Sequence, residues 1–201
     1  MPWADDVSAI LEAYLCGQAV GAAEADILFG KVNPSGKLAE TIPYHLEDNP
    51  SYLNFPGDGQ KVEYKEGVFV GYRYYDRKKM PVRYPFGYGL SYTTFDKTMT
   101  NFKDNGDTVS FDVEVTNTGD VAGKDVVEVY YTPPYTNGGI EKASVNLVQF
   151  EKTETLEPGK SQTLSFEIAK GRFCFRLTEP YSDERRAAAS DFAKKQKNRL
   201  R

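Results

Sequence analysis

Two carboxylates lie in a stretch that is rich in tyrosine, phenylalanine and glycine, and they are the first candidates for acid–base chemistry. These residues are Glu66 and Asp76. A carboxylate acts as a general acid or base only where it faces a bound substrate with a partner group nearby. Glu66 precedes Gly67, as is typical of a turn, and Asp76 is close enough to Arg73 in sequence to form an ion pair. We therefore predict structural roles for both and assign no catalytic residue.

Histidine and cysteine offer little further chemistry. The single histidine, His45, has no cysteine near it in sequence, so a zinc site is not expected. Its surroundings do not resemble a nucleophile elbow, and a surface turn is its predicted position. Cys16 and Cys174 are too few for a disulfide framework, and we expect Cys16 to be buried in a helix. The sequence implies neither a metal ion nor an organic cofactor.

The composition limits the classes of partner. The chain has 201 residues, of which 40% are hydrophobic and 27% are charged, as is usual for a globular protein of one or two domains. Its net charge is −4 although residues 171–201 are basic, and an acidic body argues against nucleic acid as a partner. No apolar run approaches the ~20 residues that span a bilayer, so no membrane partner is expected. Acidic residues follow Met1 where a signal peptide would be apolar, so no signal peptide is expected at this position. The sequence does not indicate the cellular compartment.

The first 45 residues have the pattern of an incomplete α/β domain. Residues 5–16 carry apolar positions at helical spacing and predict an amphipathic helix, and residues 18–29 predict a second helix. Residues 33–36, with proline and glycine, predict a turn, and residues 38–42 predict a short strand. Two helices and one strand cannot cover a parallel sheet, so this segment is not expected to fold alone.

Residues 46–95 show little periodicity and many aromatic residues, which predicts a long irregular loop. Aromatic rings offer a large contact area with few torsions to fix, so the loop suits an interface between two domains. Tyrosine rings can also stack on the apolar faces of sugars. We favour the interface, because aromatic residues are enriched at protein interfaces.

Alternation of period two begins at about residue 96 and predicts a β-sandwich. The predicted strands are residues 109–116, 126–131, 147–152 and 164–168. Turn signals separate them at residues 117–120 and 157–160. Short strands with frequent turns are typical of an immunoglobulin or fibronectin type III-like sandwich.

The last residues fit neither pattern. Phe173, Phe175 and Leu177 allow one more strand. The run that follows, residues 183–201, has Phe192 and Leu200 as its large apolar residues, too few to bury one face of a helix. We predict a basic tail that is helical or disordered.

Several motifs occur in an order that is characteristic of one family. They are NPSGKL at 33–38, YKEG at 64–67, VGYRYYD at 70–76, YPFGYGLSYTTF at 84–95, NTG at 117–119, VAG at 121–123 and VVEVY at 126–130. Together they resemble the C-terminal part of glycoside hydrolase family 3, the β-glucosidase family. The resemblance covers about residues 1–170, and residues 171–201 are atypical for it.

The resemblance implies a fold and a division into parts. It implies that residues 1–45 are the end of an α/β sandwich domain and that residues 46–95 are an interdomain loop. Residues 96–170 would then be a fibronectin type III-like sandwich that lacks its last strands, followed by the basic tail at 171–201.

The resemblance also implies an activity, hydrolysis of terminal β-linked sugars with retention. That chemistry needs two carboxyl groups about 5–5.5 Å apart. In the family the nucleophilic aspartate lies in a barrel domain, and the acid/base, usually a glutamate, lies upstream of the segment matched here. Neither motif occurs in this sequence, so no residue takes over either role and the chain alone is expected to be inactive.

Three hypotheses remain open from the sequence. The chain is a fragment of a β-glucosidase-type enzyme, or a carbohydrate-binding or interaction module, or one chain of a split glycosidase. A carbohydrate substrate is expected only in the context of the full-length enzyme. The other expected partners are a barrel-bearing chain or a second copy of this chain.

Overall fold

The structure, a computed structural model, describes residues 1–172. Its helices and strands are α1 Val20–Leu28, β1 Ile42–Pro43, α2 Tyr72–Lys78, β2 Val82–Tyr84, β3 Phe95–Asp104, β4 Thr108–Asn117, β5 Val126–Tyr131, β6 Asn146–Lys152 and β7 Ser161–Ala169. Short 3-10 turns occur at Pro2–Asp5, Leu46–Asp48 and Lys170–Arg172. The strand predicted near residues 173–177 and the helix predicted at 183–201 lie outside the described residues. Within residues 1–172, no helix is long and apolar enough to cross a membrane.

Strand β4 is the centre of a three-stranded antiparallel sheet with the order β3-β4-β7. Its valines and phenylalanine alternate with polar residues, so successive side chains point to opposite faces and one face is apolar. The register places Phe111 beside Phe166 and Val113 beside Leu164. The Phe111 and Phe166 rings stack with centroids 5.3 Å apart. This pairing gives the sheet one continuous apolar face.

The second sheet consists of β5 and β6 and packs against that apolar face. The buried core between the two sheets contains Val109, Phe111, Val113, Val115, Val127, Val129, Leu156, Leu164, Phe166 and Ile168. Burying one such side chain contributes about 1.5–3 kcal/mol relative to leaving it in water. A two-sheet sandwich was predicted from the alternation, and the structure has one. The predicted lack of final strands concerns residues after 172 and stays a prediction.

Most predicted strands have the expected position, but β3 was not predicted. Strand β5 has the predicted bounds, and β4, β6 and β7 extend one to four residues beyond theirs. The alternation in β3 is broken by a bulge between Thr100 and Lys103, where Asn101 has a φ of 53°. A bulge shifts the side chains to the other face, so the period-two signal is lost halfway along the strand.

The helix predicted at residues 5–16 is wrong. The chain forms a 3-10 turn at Pro2–Asp5 and then no regular helix before α1. Tyr14 has a φ of 51°, a left-handed conformation that a helix excludes. The side chains predicted to form its apolar face, including Leu11 and Leu15, are exposed. A short helix needs a packed apolar face in order to be stable, and the described residues provide none here.

The predicted turn and strand that follow α1 also need correction. Gly36 does not have a positive φ, and residues 33–36 form an open segment that other parts of the chain hold in place. The strand predicted at residues 38–42 is reduced to Ile42–Pro43, paired with β2. Leu38 instead exchanges backbone hydrogen bonds with Gly87 and Tyr88, outside any regular ladder. Helix α1 was predicted correctly, with Gly30 in the left-handed conformation just after it.

The aromatic stretch at residues 46–95 is more regular than predicted. It contains α2, β2 and a 3-10 turn, and its last residue begins β3. Helix α2 starts after Gly71, whose φ is 58°, and ends at Lys79 in the left-handed conformation. The sequence YRYYDRK has no apolar stripe of helical period, so the pattern did not indicate a helix. Tyr75 is the buried residue of this helix.

Candidate functional site

A buried ion-pair cluster joins the first ninety residues to the sandwich. Asp125 lies just before β5, and 9% of its side chain is exposed. The Lys37 Nζ atom lies 3.2 Å from its Oδ1 atom, and the Lys97 Nζ atom lies 2.7 Å from its Oδ2 atom. Lys37 also donates to the Gly89 carbonyl, and Lys97 donates to the Val126 carbonyl. One carboxylate therefore holds three separate segments of the chain together.

The same cluster shifts the pKa of Asp125. Burial would raise the pKa of this carboxyl, but the hydrogen bond from Lys97 and the charges of Lys97 and Lys37 outweigh burial and lower it below its usual 3.8. The carboxylate is therefore ionised under all ordinary conditions. The two ammonium groups and the carboxylate between them form a structural cluster.

The lowered pKa predicts how stability depends on pH. A carboxyl whose pKa is lower in the folded state stabilises the fold above its unfolded pKa, about 3.9, and the stabilisation is lost as pH falls through the folded pKa. We expect the difference in unfolding free energy between the native chain and Asp125→Asn to be constant near neutral pH and to shrink below about pH 4. Urea unfolding at a series of pH values measures this difference. A difference that grows as pH falls would contradict the assignment.

Asn33 fixes the NPSGKL segment, residues 33–38, to the sandwich. Its side-chain Nδ2 atom donates to the Ala122 carbonyl at 3.1 Å. Its Oδ1 atom accepts from the Ser91 hydroxyl and from the backbone N–H of Tyr92. The Tyr92 hydroxyl in turn donates to the Ile27 carbonyl near the end of α1. Both ends of the amide are used, so this segment has a fixed position relative to the sandwich.

Close backbone approach explains two glycines in these motifs. A Cβ atom at Gly89 would collide with the backbone carbonyl oxygen of Gly36. A Cβ atom at Gly123 would lie 2.6 Å from the Nδ2 atom of Asn33. Glycine is required where the backbone of one segment touches another so closely. Gly123 therefore marks a contact between the first ninety residues and the sandwich, whereas Gly89 marks a contact between two segments of the first ninety residues.

Asn117 is a second centre of hydrogen bonds, and its side chain is fully buried. Its Nδ2 atom donates to the carbonyls of Val121 and Leu156, at 2.9 and 2.8 Å. Its Oδ1 atom accepts from the Thr93 hydroxyl at 2.7 Å and from the N–H of Gly119 at 3.1 Å. The predicted turn at residues 117–120 is thus an Asx turn. Sequence reasoning placed this turn but did not indicate that its asparagine is a buried connector.

Tyr72 is the aromatic residue that connects α2 to the sandwich. Its hydroxyl accepts a hydrogen bond from the N–H of Leu147 in β6, at 2.8 Å. Its ring centroid lies 4.8 Å from that of Phe86 and 6.0 Å, edge to face, from that of Tyr130. Arg73 lies over the Tyr72 ring at 5.8 Å. The Tyr72 ring thus contacts the sandwich, and the preference for interface contacts over sugar stacking in the whole aromatic stretch stays a prediction.

Tyr130 and Glu128 form a neighbouring polar contact. The Tyr130 hydroxyl donates to the Glu128 Oε2 atom at 2.7 Å. Burial, followed by this hydrogen bond, raises the pKa of Tyr130 well above its usual 10. Gly87 leaves room for the Glu128 carboxylate, which a Cβ atom at that position would strike. Because the tyrosine keeps its proton, this contact is suited to holding residues 84–95 in place and not to proton transfer.

Residues 1–92 expose an unusual amount of apolar surface. The exposed large hydrophobic side chains in this part are Trp3, Val7, Leu11, Tyr14, Leu15, Leu28, Phe29, Val32, Tyr44, Leu46, Tyr52, Leu53, Phe55, Val62, Tyr64, Val70, Tyr88, Leu90 and Tyr92. Its buried hydrophobic residues are Ala4 and Tyr75. Helix α1 has no buried residue at all. An exposed apolar area of this extent is unusual for a free-standing domain. We call it the apolar surface of residues 1–92.

The two carboxylates of the aromatic stretch, Glu66 and Asp76, lie in different elements. Glu66 lies in the predicted turn, and its backbone carbonyl accepts a hydrogen bond from the N–H of Phe69 at 3.0 Å. Its Oε2 atom is buried and, within residues 1–172, has no hydrogen-bond partner. Asp76 lies in α2. The Nε atom of Arg83 is likewise buried without a partner, while the guanidinium pairs with Asp5 through two hydrogen bonds. The structural roles expected for Glu66 and Asp76 stay a prediction.

His45 and Cys16 have simple positions. His45 is exposed at the start of the 3-10 turn Leu46–Asp48, where its N–H donates to the Asp48 carboxylate. The surface turn predicted for it is correct. Cys16 is exposed, and the expected burial is wrong because the helix that would have contained it does not form. Within the described part of the chain, no three ligand-type side chains come close enough to hold a metal ion.

The residues of the buried cluster left only weak signals in the sequence. Lys97 follows Phe95 at period two, so it points inward, and an inward-pointing charge is the signal for a buried partner. Lys37 lies in a recognisable motif. Asp125 lies at the edge of a strand, where an aspartate is ordinarily exposed, and its burial could not be inferred.

Comparison with known proteins assigns both parts of the chain. Residues 1–92 match the Glycosyl hydrolase family 3 C-terminal domain. Residues 125–183 match a Fibronectin type III-like domain. The match in the first part includes the glycine-rich segments and the apolar surface described above. The first match ends before β3 and the second begins just before β5, so β3 and β4 lie between the two matches.

The relatives are much longer than this chain. The chain is similar to Thermostable beta-glucosidase B of Acetivibrio thermocellus, 49% identical over 183 residues that cover 89% of this chain and 24% of that protein. It is similar to Exo-alpha-(1->6)-L-arabinopyranosidase of Bifidobacterium longum, with 43% identity and cover of 90% and 24%. The solved beta-glucosidase of Kluyveromyces marxianus in complex with glucose has a TM-score of 0.80 at 41% identity, covering 85% of this chain and 20% of that one. The chain therefore spans about a quarter of the length of these relatives or less.

Proposed function

The chain belongs to glycoside hydrolase family 3, of which it carries the C-terminal domain, and we propose that it is the non-catalytic C-terminal part of a glycosidase that hydrolyses terminal β-linked sugars. In this role the sandwich is a rigid support. It holds residues 1–92 in the conformation in which they pack on the catalytic part of the enzyme. A barrel-bearing part, on the same polypeptide or on a partner chain, supplies the reacting carboxylates.

The apolar surface of residues 1–92 is the observation that carries this proposal. Most exposed large hydrophobic side chains of the described residues lie in this part, and few lie on the sandwich. Within the described residues, the sandwich buries its apolar side chains between its own two sheets. The surface of residues 1–92 is rich in apolar side chains, and the surface of the sandwich is not. This difference fits a chain that attaches to a larger protein through its first ninety residues.

The electrostatics support a structural role. The buried carboxylate of Asp125 is neutralised by Lys37 and Lys97. The pKa of Asp125 is lowered, whereas a general acid requires a raised one. These properties suit Asp125 to a structural role and not to that of a glycosidase acid.

A chimera tests the role directly. We expect that Thermostable beta-glucosidase B of Acetivibrio thermocellus, with its matching quarter replaced by this chain, hydrolyses an aryl β-glucoside within about 10²-fold of the parent rate, since small misplacements cost about that much. The same enzyme with that quarter deleted is expected to show no hydrolysis. Steady-state rates on purified proteins measure both. A folded chimera without activity would contradict the proposal.

The isolated chain provides the matching control. We expect it to hydrolyse no aryl β-glucoside, because it lacks a pair of suitably placed carboxylates. Turnover that persists through purification and disappears in Glu66→Gln would show that the chain is catalytic. Tight binding of a simple sugar by the isolated chain, lost when Tyr52 or Tyr64 is changed to alanine, would favour a carbohydrate-binding module instead.

A further inference from the structure

Two Asn-Gly pairs occur in the described residues, in two different environments. Asn137-Gly138 lies in the loop between β5 and β6, and Asn105-Gly106 lies in the turn between β3 and β4. Asparagine is a chemically labile residue, and a following glycine leaves its side chain open to attack by the next backbone nitrogen. From the contacts of the two pairs, we propose that Asn137 is a site of spontaneous deamidation and that the fold protects Asn105.

The loop around Asn137 leaves both reacting groups free. The Gly139 N–H donates to the Thr136 carbonyl at 2.9 Å, and Gly138 has a φ of 82°, so the four residues form a tight turn. Within residues 1–172, neither the Asn137 side chain nor the Gly138 N–H has a hydrogen-bond partner. A Cβ atom placed at Gly138 would meet no atom within 4 Å. Neither the Asn137 side chain nor the Gly138 nitrogen therefore has to give up a hydrogen bond of its own before the two groups meet.

The turn around Asn105 holds the same groups in place. The Gly106 N–H donates to the Asp104 carboxylate at 2.9 Å. The Asn105 Nδ2 atom donates to the Ser110 hydroxyl at 3.0 Å, and the Asn105 N–H donates to the Thr108 carbonyl at 2.9 Å. Attack requires the Gly106 nitrogen to lose its proton, and the adjacent carboxylate of Asp104 disfavours the resulting negative charge. This asparagine is protected both by geometry and by charge.

The reaction needs only water and base. Hydroxide removes the proton from the Gly138 nitrogen, and that nitrogen forms a bond to the side-chain carbonyl carbon of Asn137. The bond from that carbon to Nδ2 breaks, and Nδ2 takes one proton from water, which regenerates the hydroxide, and leaves as ammonia. Water then opens the five-membered imide at either carbonyl, giving aspartate or isoaspartate. The sum is asparagine plus water giving the acid plus ammonia, and the loop becomes more negative by one charge.

Ageing the full chain at mildly alkaline pH tests the proposal. We expect Asn137 to deamidate at least about tenfold faster than Asn105, because the charge-assisted hydrogen bond at Gly106 must break first. Peptide mass spectrometry measures the conversion at each position, and isoaspartate detection identifies the imide route. Similar rates at the two positions, or no conversion at Asn137, would overturn the proposal.

Two controls separate the effect of the fold from that of the sequence. In concentrated urea both pairs are exposed, and their rates should become similar. A difference that persists in urea would mean that the neighbouring residues, and not the fold, protect Asn105, and would also overturn the proposal. In folded Asn137→Gln the loop conversion should disappear, since a glutamine would have to form a larger ring, while the slow rate at Asn105 stays unchanged.

Discussion

Replacing Asp125 by asparagine is expected to destabilise the chain by about 3–5 kcal/mol, because removing one partner of a buried ion pair leaves uncompensated charge behind. Lys37 and Lys97 are both held by this carboxylate, at 3.2 and 2.7 Å. Their side chains are only 20% and 22% exposed, so water can restore little of the lost interaction. Asparagine keeps the shape of the side chain, so the change in stability reports the charge and not a cavity. The unfolding free energy from urea titration measures it.

A matched control removes an exposed ion pair from the same sandwich. Lys124 and Glu154 lie 3.4 Å apart, and the Glu154 side chain is 84% exposed. We expect Glu154→Gln to change the unfolding free energy by less than about 1 kcal/mol, as exposed pairs do. Equal effects of the two substitutions would show that the Asp125 cluster is not a buried connector. The same conclusion would follow if Asp125→Asn removed the contact with Lys37 but left the unfolding free energy unchanged.

Replacing Asn117 by alanine is expected to destabilise the chain by about 3–5 kcal/mol, because several buried polar groups lose their partners at once. The carbonyls of Val121 and Leu156 each lose a donor, and the Thr93 hydroxyl loses its acceptor. Thr93 and Leu156 are buried, so water cannot easily replace the asparagine at these two residues. Thermal and urea unfolding measure the loss, and hydrogen exchange should show faster exchange of the Gly123 N–H, which is bonded to Leu156.

The neighbouring residue offers the control for Asn117. Thr118 is exposed, and its hydroxyl shares a hydrogen bond with that of Thr94 at 2.9 Å. We expect Thr118→Ala to change stability by no more than about 0.5–1 kcal/mol, since a surface hydroxyl is readily replaced by water. A larger effect from Thr118→Ala than from Asn117→Ala would contradict the assignment of Asn117 as the connector between residue 93, the turn and residue 156.

The sandwich was largely predictable because its signal is local. In β4, Val109, Phe111 and Val113 alternate with polar residues, and alternation identifies a strand whatever lies on its apolar side. The signal failed in β3 where the bulge near Asn101 changes the phase. The prediction failed in α2 because the buried residue, Tyr75, has two further tyrosines near it, Tyr72 and Tyr74, so the sequence does not show which of them is buried.

The candidate site was less predictable because its residues act through distant partners. NPSGKL at 33–38 and the glycine-rich segment at 84–95 were recognised as motifs, but their physical reason appears only when Gly89 is seen against the backbone of Gly36. The predicted helix at 5–16 shows the opposite error. Its periodic apolar residues were read as a helix, although a periodic pattern specifies a helix only when something covers its apolar face.

The pattern of residues along the chain was enough to predict the strands within residues 109–168 and helix α1. The order of its motifs was enough to indicate the resemblance to glycoside hydrolase family 3. These depend on local alternation and on motif order, which are properties of the chain itself. Three features became visible only in the folded chain. Asp125 is buried between two lysines, Asn117 joins three segments, and many apolar side chains of residues 1–92 are exposed. Burial depends on which segments meet in space, and neither residue type nor spacing specifies that.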